Sequence, residues 1–171
     1  MNIQSCSQAL LAVAATVILS NCAGTTPEAT FTQPLAENAR ISRDDKVSSK
    51  VTSTDAKMLP TDRQRLGEKI TGKVKSVASS RTGTPRNYEL AVSISRYEKG
   101  DAFARAMLAG LGQIHIDGVV SVYQLPGKNK VAEFTLNKTF AWGGLYGASV
   151  TMDTIEDTYA EAVAKAVCQM K

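Results

Sequence analysis

Few side chains in this sequence are equipped for chemistry. The single histidine, His115, lies in the alternating stretch QIHIDGVVSVYQ with Asp117 two residues along. On an extended strand, positions i and i+2 share a face, so the imidazole and the carboxylate stand side by side. Such a pair could serve an envelope hydrolase, with the carboxylate orienting the ring for base catalysis. Any solvent-facing strand displays the same spacing, and the plainer reading is a wet strand face. Metal ligation needs three or four donors, more than one histidine and the one cysteine that stays free, Cys168, supply, so no metal or cofactor is expected. The stretch WGGLYGAS, residues 142–149, is glycine-rich and leads into a helix whose first N–H groups could cradle an anion. It lacks the Gly-Lys-Ser/Thr ending of a phosphate loop, and the acidic Asp153, Glu156 and Asp157 that follow oppose an anion. Its glycines are expected to permit a tight chain reversal while Phe140, Trp142 and Tyr146 close the end of the core. Exposed instead, those rings with Gly143 and Gly144 would form a docking patch for a partner or a glycan.

The cysteines are informative in another way. Residues 1–21 carry no charged side chain, and residues 9–19 form an apolar run of eleven residues. That length suits the h-region of a secretory signal and falls short of the ~20 residues that span a bilayer. The run ends in Leu19, Ser20, Asn21 and Cys22. This pattern resembles the lipobox of bacterial lipoproteins, with Asn21 standing where Gly or Ala is usual. The resemblance implies cleavage between Asn21 and Cys22, a diacylglycerol on the Cys22 thiol and an acylated new amine. Ala23, in place of an aspartate, implies the outer membrane, with the chain facing the periplasm. One acyl chain binds a membrane marginally, whereas several hold firmly. Cys6 would leave with the signal and Cys22 would be blocked, so Cys168 remains alone, expected as a small buried hydrophobe on the last helix.

The rest of the chain must supply the scaffold. At 171 residues and 43% hydrophobic it is long enough for one core. The expected organisation is a signal peptide over residues 1–21, a flexible lipidated tether over 22–45 and a single domain over 46–171. The tether mixes Thr, Ala, Pro and charge without period and as a coil would span ~25 Å, with ARIS, residues 39–42, the piece most apt to become a strand. Thr61 with Gln64 reads as a capping box opening a helix that carries Leu66, Ile70, Val74 and Val77 on one face. Residues 46–53 and 87–98 read as strands flanking it in a parallel βαβ unit, with Tyr88, Leu90, Val92 and Ile94 turned inward. GDAFARAMLAGLG, with Phe103, Met107 and Leu111 four apart, predicts a short helix or glycine turn. Two further alternating runs joined through Pro126, Gly127 and Asn129 predict an antiparallel hairpin. A closing helix from about Thr151 should bury Met152, Ile155, Tyr159, Val163 and Ala166. The sum is an α/β (α+β) domain: a mixed sheet of about four strands with two or three packed helices.

RAMLAGLG, IDGVVSVY and KTFAWGGLYG, behind a lipobox and ahead of an amphipathic helix, resemble an uncharacterised family of proteobacterial lipoproteins, domain of unknown function 4410. Its marks here are Arg105, Gly110, Gly112, Lys138, Trp142, Gly143 and Gly144, none of which is a catalytic signature. The resemblance implies location and architecture without an activity. The net charge of +4 is scattered, which argues against nucleic acid as a partner. The expectation is a membrane-anchored envelope lipoprotein, a non-enzymatic binding or assembly accessory that contacts the membrane through its lipid and another envelope protein through its surface. The rival expectations are a hydrolase using His115 and Asp117, and a purely structural lipoprotein that spaces envelope layers.

Overall fold

The structure, a computed structural model, describes residues 26–108 and 110–168. The signal peptide, Asn21 and the lipidation candidate Cys22 lie outside the described residues. Five strands form one mixed sheet: β1 (Thr30–Gln33), β2 (Lys46–Ser53), β3 (Asn87–Glu98), β4 (Ile114–Leu125) and β5 (Asn129–Phe140), in the order β1-β5-β4-β3-β2. β2 and β3 are parallel and every other neighbouring pair is antiparallel. The crossover between the parallel pair is helix α1 (Pro60–Val77), and β4 and β5 form the expected hairpin. Two six-residue helices, α2 (Ala102–Met107) and α3 (Gly144–Ser149), precede β4 and follow β5, and α4 (Met152–Cys168) closes the chain.

The core follows from strand alternation. Tyr88, Leu90, Val92 and Ile94 of β3, Ile114, Ile116, Val120 and Val122 of β4, and Ala132, Phe134 and Leu136 of β5 share one buried face. α1 covers that face with Leu66, Ile70 and Val74, and α4 with Ile155, Tyr159 and Val163. Each such aliphatic or aromatic side chain contributes ~1.5–3 kcal/mol on burial. The opposite face carries Ser93, Ser95, Asn137 and Thr139, and no described element covers it. A register shift between Ile94 and Arg96 resets the alternation of β3, so that Tyr97 turns into the core instead of Arg96. The Asp55 carboxylate accepts the Tyr97 N–H at 2.8 Å across this irregularity.

Two expectations need correction. α1 begins at Pro60 with Leu59 as its N-cap, not at Thr61. Proline's fixed φ is already helical, and Asp62 reaches back to accept the Leu59 N–H at 3.1 Å, the role assigned to Gln64. Part of the span expected as tether, residues 22–45, is also folded onto the sheet. β1 lies inside that span and pairs antiparallel with β5, its Phe31 ring 5.1 Å from that of Phe134, so the fifth strand comes from the supposed linker. ARIS is not a strand, yet Ile41 is buried and its N–H caps the Val167 carbonyl in the last turn of α4 at 3.0 Å. Asp45 is buried where it accepts from the Ser42 and Arg86 N–H groups and from Arg81. An apolar edge at Phe134 and the open carbonyls of α4 give this polar-looking segment partners that its own periodicity does not reveal.

Candidate docking surface

α2 and α3 come together at the end of the sheet where β3 leaves, β4 enters and β5 ends. Asp101 caps α2 by accepting the Ala104 N–H at 2.8 Å, and the Gly110 N–H donates to the Ala141 carbonyl, tying the two loops. Arg105 stitches them further. Its side chain is buried, and it donates from Nε to the Gly147 carbonyl at 2.9 Å, from Nη1 to Gly112 at 2.6 Å and from Nη2 to Val150 at 3.0 Å. A guanidinium presents donors in a fixed fork, so three carbonyls from two loops are set in one plane. Two glycines make this approach possible. A Cβ on Gly112, at φ +63, would lie 2.2 Å from the Asp101 carbonyl oxygen, and one on Gly147 2.1 Å from that of Trp142.

What this framework holds up is apolar. Phe103, Met107, Leu108 and Leu111 around α2, and Trp142, Leu145 and Tyr146 around α3, are all exposed, Leu145 to 91% and Phe103 to 75%. Single exposed apolar residues are ordinary, but seven on two adjoining short helices and the loops beside them form a patch of the kind that marks an interaction site. Of the rings expected to close the core, only Phe140 does so, at 6.2 Å from the Tyr146 ring, while Trp142 and Tyr146 face outward beside Gly143 and Gly144. Leu108 and Leu145 carry no docking signal of their own in the sequence, and the spacing of Phe103, Met107 and Leu111 points only to a short helix or glycine turn. The density of apolar residues between glycines in AFARAMLAGLG, with no long helix to bury them, was the available sign. Lys138 occupies the core face of β5 between Leu136 and Phe140, and burial pulls its pKa below the usual lysine range.

The histidine does not join its expected carboxylate. His115 is 7% exposed, its Nδ1 lies 2.9 Å from Thr139 Oγ1 and its Nε2 3.7 Å from Glu98 Oε2. Burial, then the Arg96 charge, lowers its pKa. Asp117 instead faces Asn137 and Arg96 in register. The largest cluster of ionisable groups joins α1 to α4. Glu156, fully buried, accepts from Arg65 Nε at 2.7 Å and Nη2 at 2.8 Å and from the Tyr97 hydroxyl at 2.7 Å. Lys69 meets Asp153 at 2.6 Å and Asp157 at 3.2 Å. With both Glu156 oxygens engaged, the cluster holds the two helices together rather than presenting a free acid or base. Among the described residues no group of three or more His, Cys, Asp or Glu could hold a metal ion, and no helix is long and apolar enough to cross a membrane.

Solved structures share this architecture. The chain is similar to a PelC dodecamer from Paraburkholderia phytofirmans at 14% identity, over 84% of this chain and 99% of that one, with a TM-score of 0.55. A single-substitution variant of the same PelC matches at 12% identity over the same shares, with a TM-score of 0.54. At these identities the likeness shows the fold alone. No curated protein matches the sequence. Residues 31–144, from β1 through α2 and the hairpin to the first residue of α3, match a family profile, and the chain belongs to that family, the domain of unknown function DUF4410.

Proposed function

We propose that the protein is an envelope lipoprotein, anchored through acyl chains on Cys22 at the outer membrane and facing the periplasm, that works as a non-enzymatic assembly component. The observation that carries this reading is the platform: seven exposed apolar side chains on two short helices and the loops beside them, fixed by a buried arginine that gives its donors to backbone carbonyls. A surface held rigid loses little entropy when a partner docks. α4 runs from the platform at Met152 toward Lys165, which lies 3.4 Å from Thr26, so the anchored end and the platform are separated by ~20 Å of helix. That separation supports a platform held clear of the lipid, where a protein partner could reach it.

A second reading concerns that partner. PelC is a dodecamer, which favours further copies of this chain as what covers the platform. Installing a photoreactive phenylalanine analogue at Leu145 in the full-length protein, and irradiating intact cells, tests both readings. Products at multiples of the chain's own mass support self-assembly, and one recurrent envelope protein supports an accessory role. Cross-linking no stronger at Leu145 than at a control position on the open sheet face, such as Asn137, refutes the docking surface. Palmitate labelling of wild type against Cys22→Ser, with membrane fractionation, tests the anchor.

A further inference from the structure

At the other end of α4 lies a cleft of about 510 Å³, away from the platform. One wall is the segment that carries β1, with Ala29, Phe31, Pro34 and Leu35, and the other is α4, where Ala162 and Ala166 stand one turn apart and leave a furrow. Arg40 and Lys165 stand at its edge, Lys165 paired with Glu161 at 2.6 Å. Phe31 packs tilted against Phe134, its ring plane at 49° to that of Phe134, and is still more than a third exposed, so part of a ring lies open at the cleft. The volume is in the range of sites that bury small ligands, about 300–1,000 Å³. If a methylene fills about what a water does, ~30 Å³, the cleft takes most of one long acyl chain.

We infer that the cleft is the resting place of one of the acyl chains carried by Cys22. The inference rests on the lipid anchor proposed above and adds where one of its chains goes. Thr26 lines the cleft, and Cys22 stands four positions before it, a reach of at most ~14 Å for an extended backbone. A chain attached that close meets the cleft at the millimolar effective concentration of a short tether, so even a weak site fills. The lining suits hydrocarbon: Ala29, Phe31, Pro34, Leu35, Ala162 and Ala166 are apolar, and the charged groups among the lining residues, Glu28, Arg40 and Lys165, are all at least partly exposed, the two cations being able to donate to ester carbonyls. With one chain sheltered, the domain would sit against the bilayer on its remaining chains, close in rather than at the end of a long tether.

The test uses the full-length protein made in a Gram-negative host fed a fatty acid bearing a diazirine and an alkyne. After irradiation, the cross-linked peptides are mapped by mass spectrometry. The expected result is cross-linking concentrated in residues 27–35 and 162–166, and a drop of at least fivefold there in Ala166→Trp, which fills the furrow, with label on Cys22 unchanged. Ala29→Trp fills the cleft from the other wall and gives the same readout should Ala166→Trp fold poorly. Cross-links only to phospholipid, cross-links that ignore both substitutions, or cross-links to the cleft of a second copy in a mixed-isotope sample would each overturn the inference while leaving the anchor standing. Absence of label on Cys22 would instead remove the anchor, and the cleft's occupant with it.

Discussion

Arg105→Ala is the substitution that best separates the platform from the sheet. It removes three donors that reach the carbonyls of Gly112, Gly147 and Val150 at 2.6–3.0 Å, all from one buried guanidinium. A hydrogen bond to a charged group contributes ~1.5–3 kcal/mol, and water entering a truncated site recovers part of that for carbonyls near the surface. The bonds share one donor group and are not additive, so a local loss of about 3 kcal/mol is the reasoned figure. Because α2 and α3 contribute few side chains to the main core, the opening should be local rather than global. Hydrogen exchange measures this directly: 3 kcal/mol is roughly a hundredfold rise in exchange rate, at ~1.4 kcal/mol per decade, for amides in residues 101–112 and 142–150. Amides of Leu90, Val92, Val120 and Val122, in the sheet centre, should keep their protection. Trp142, the one tryptophan, should report the same event by a red-shifted emission. Arg105→Lys should recover only part, since an ammonium lacks the planar fork. Uniform loss of protection across the sheet, or unchanged exchange in both loops, would refute the claim that this arginine holds the platform.

Further outcomes follow from the same structure. Arg65→Met leaves the fully buried Glu156 with only the Tyr97 hydroxyl and Lys69 at 3.5 Å and should cost ~3–5 kcal/mol in denaturant unfolding, whereas Arg65→Met combined with Glu156→Met should recover part of it, Asp62 still lacking its arginine. His115 has a depressed pKa, so the folded state binds fewer protons than the unfolded one. Stability should therefore fall as pH drops below 6.5 toward the folded value, and His115→Gln, with Glu98, Arg96 and Asp117 left in place around it, should flatten the unfolding midpoint between pH 7.5 and 5.5. His115→Ala should leave any envelope phenotype intact, and its loss would revive the hydrolase reading. Burial pushes the Cys168 thiol up to about 12, so alkylation at pH 8 should be far slower in the native protein than after unfolding, and fast native labelling would contradict that burial.

Local pattern determined a large part of this protein. The period-two runs at Tyr88, Leu90, Val92 and Ile94 and at Ala132, Phe134 and Leu136, the turn at Pro126 and Gly127, and the helical stripe of Leu66, Ile70 and Val74 name their elements and inward faces, because a residue's neighbours along one element fix its face. The pairing of β2 with β3 was legible for the same reason, since a helix between two strands returns the chain parallel. Contacts between residues far apart in sequence were not legible. Thr30–Gln33 carries no periodic signature and became a strand only because β5 offered it an edge. Glu156 looked like one more anion at the start of a helix until Arg65, 91 residues away, enclosed it. The platform was half visible: the aromatic glycine loop could be named as a surface, but whether Trp142 and Tyr146 cover the core or face water depends on Phe140 filling that space first. Burial is decided by which side chain arrives, and that is a property of three-dimensional packing rather than of the string of residues.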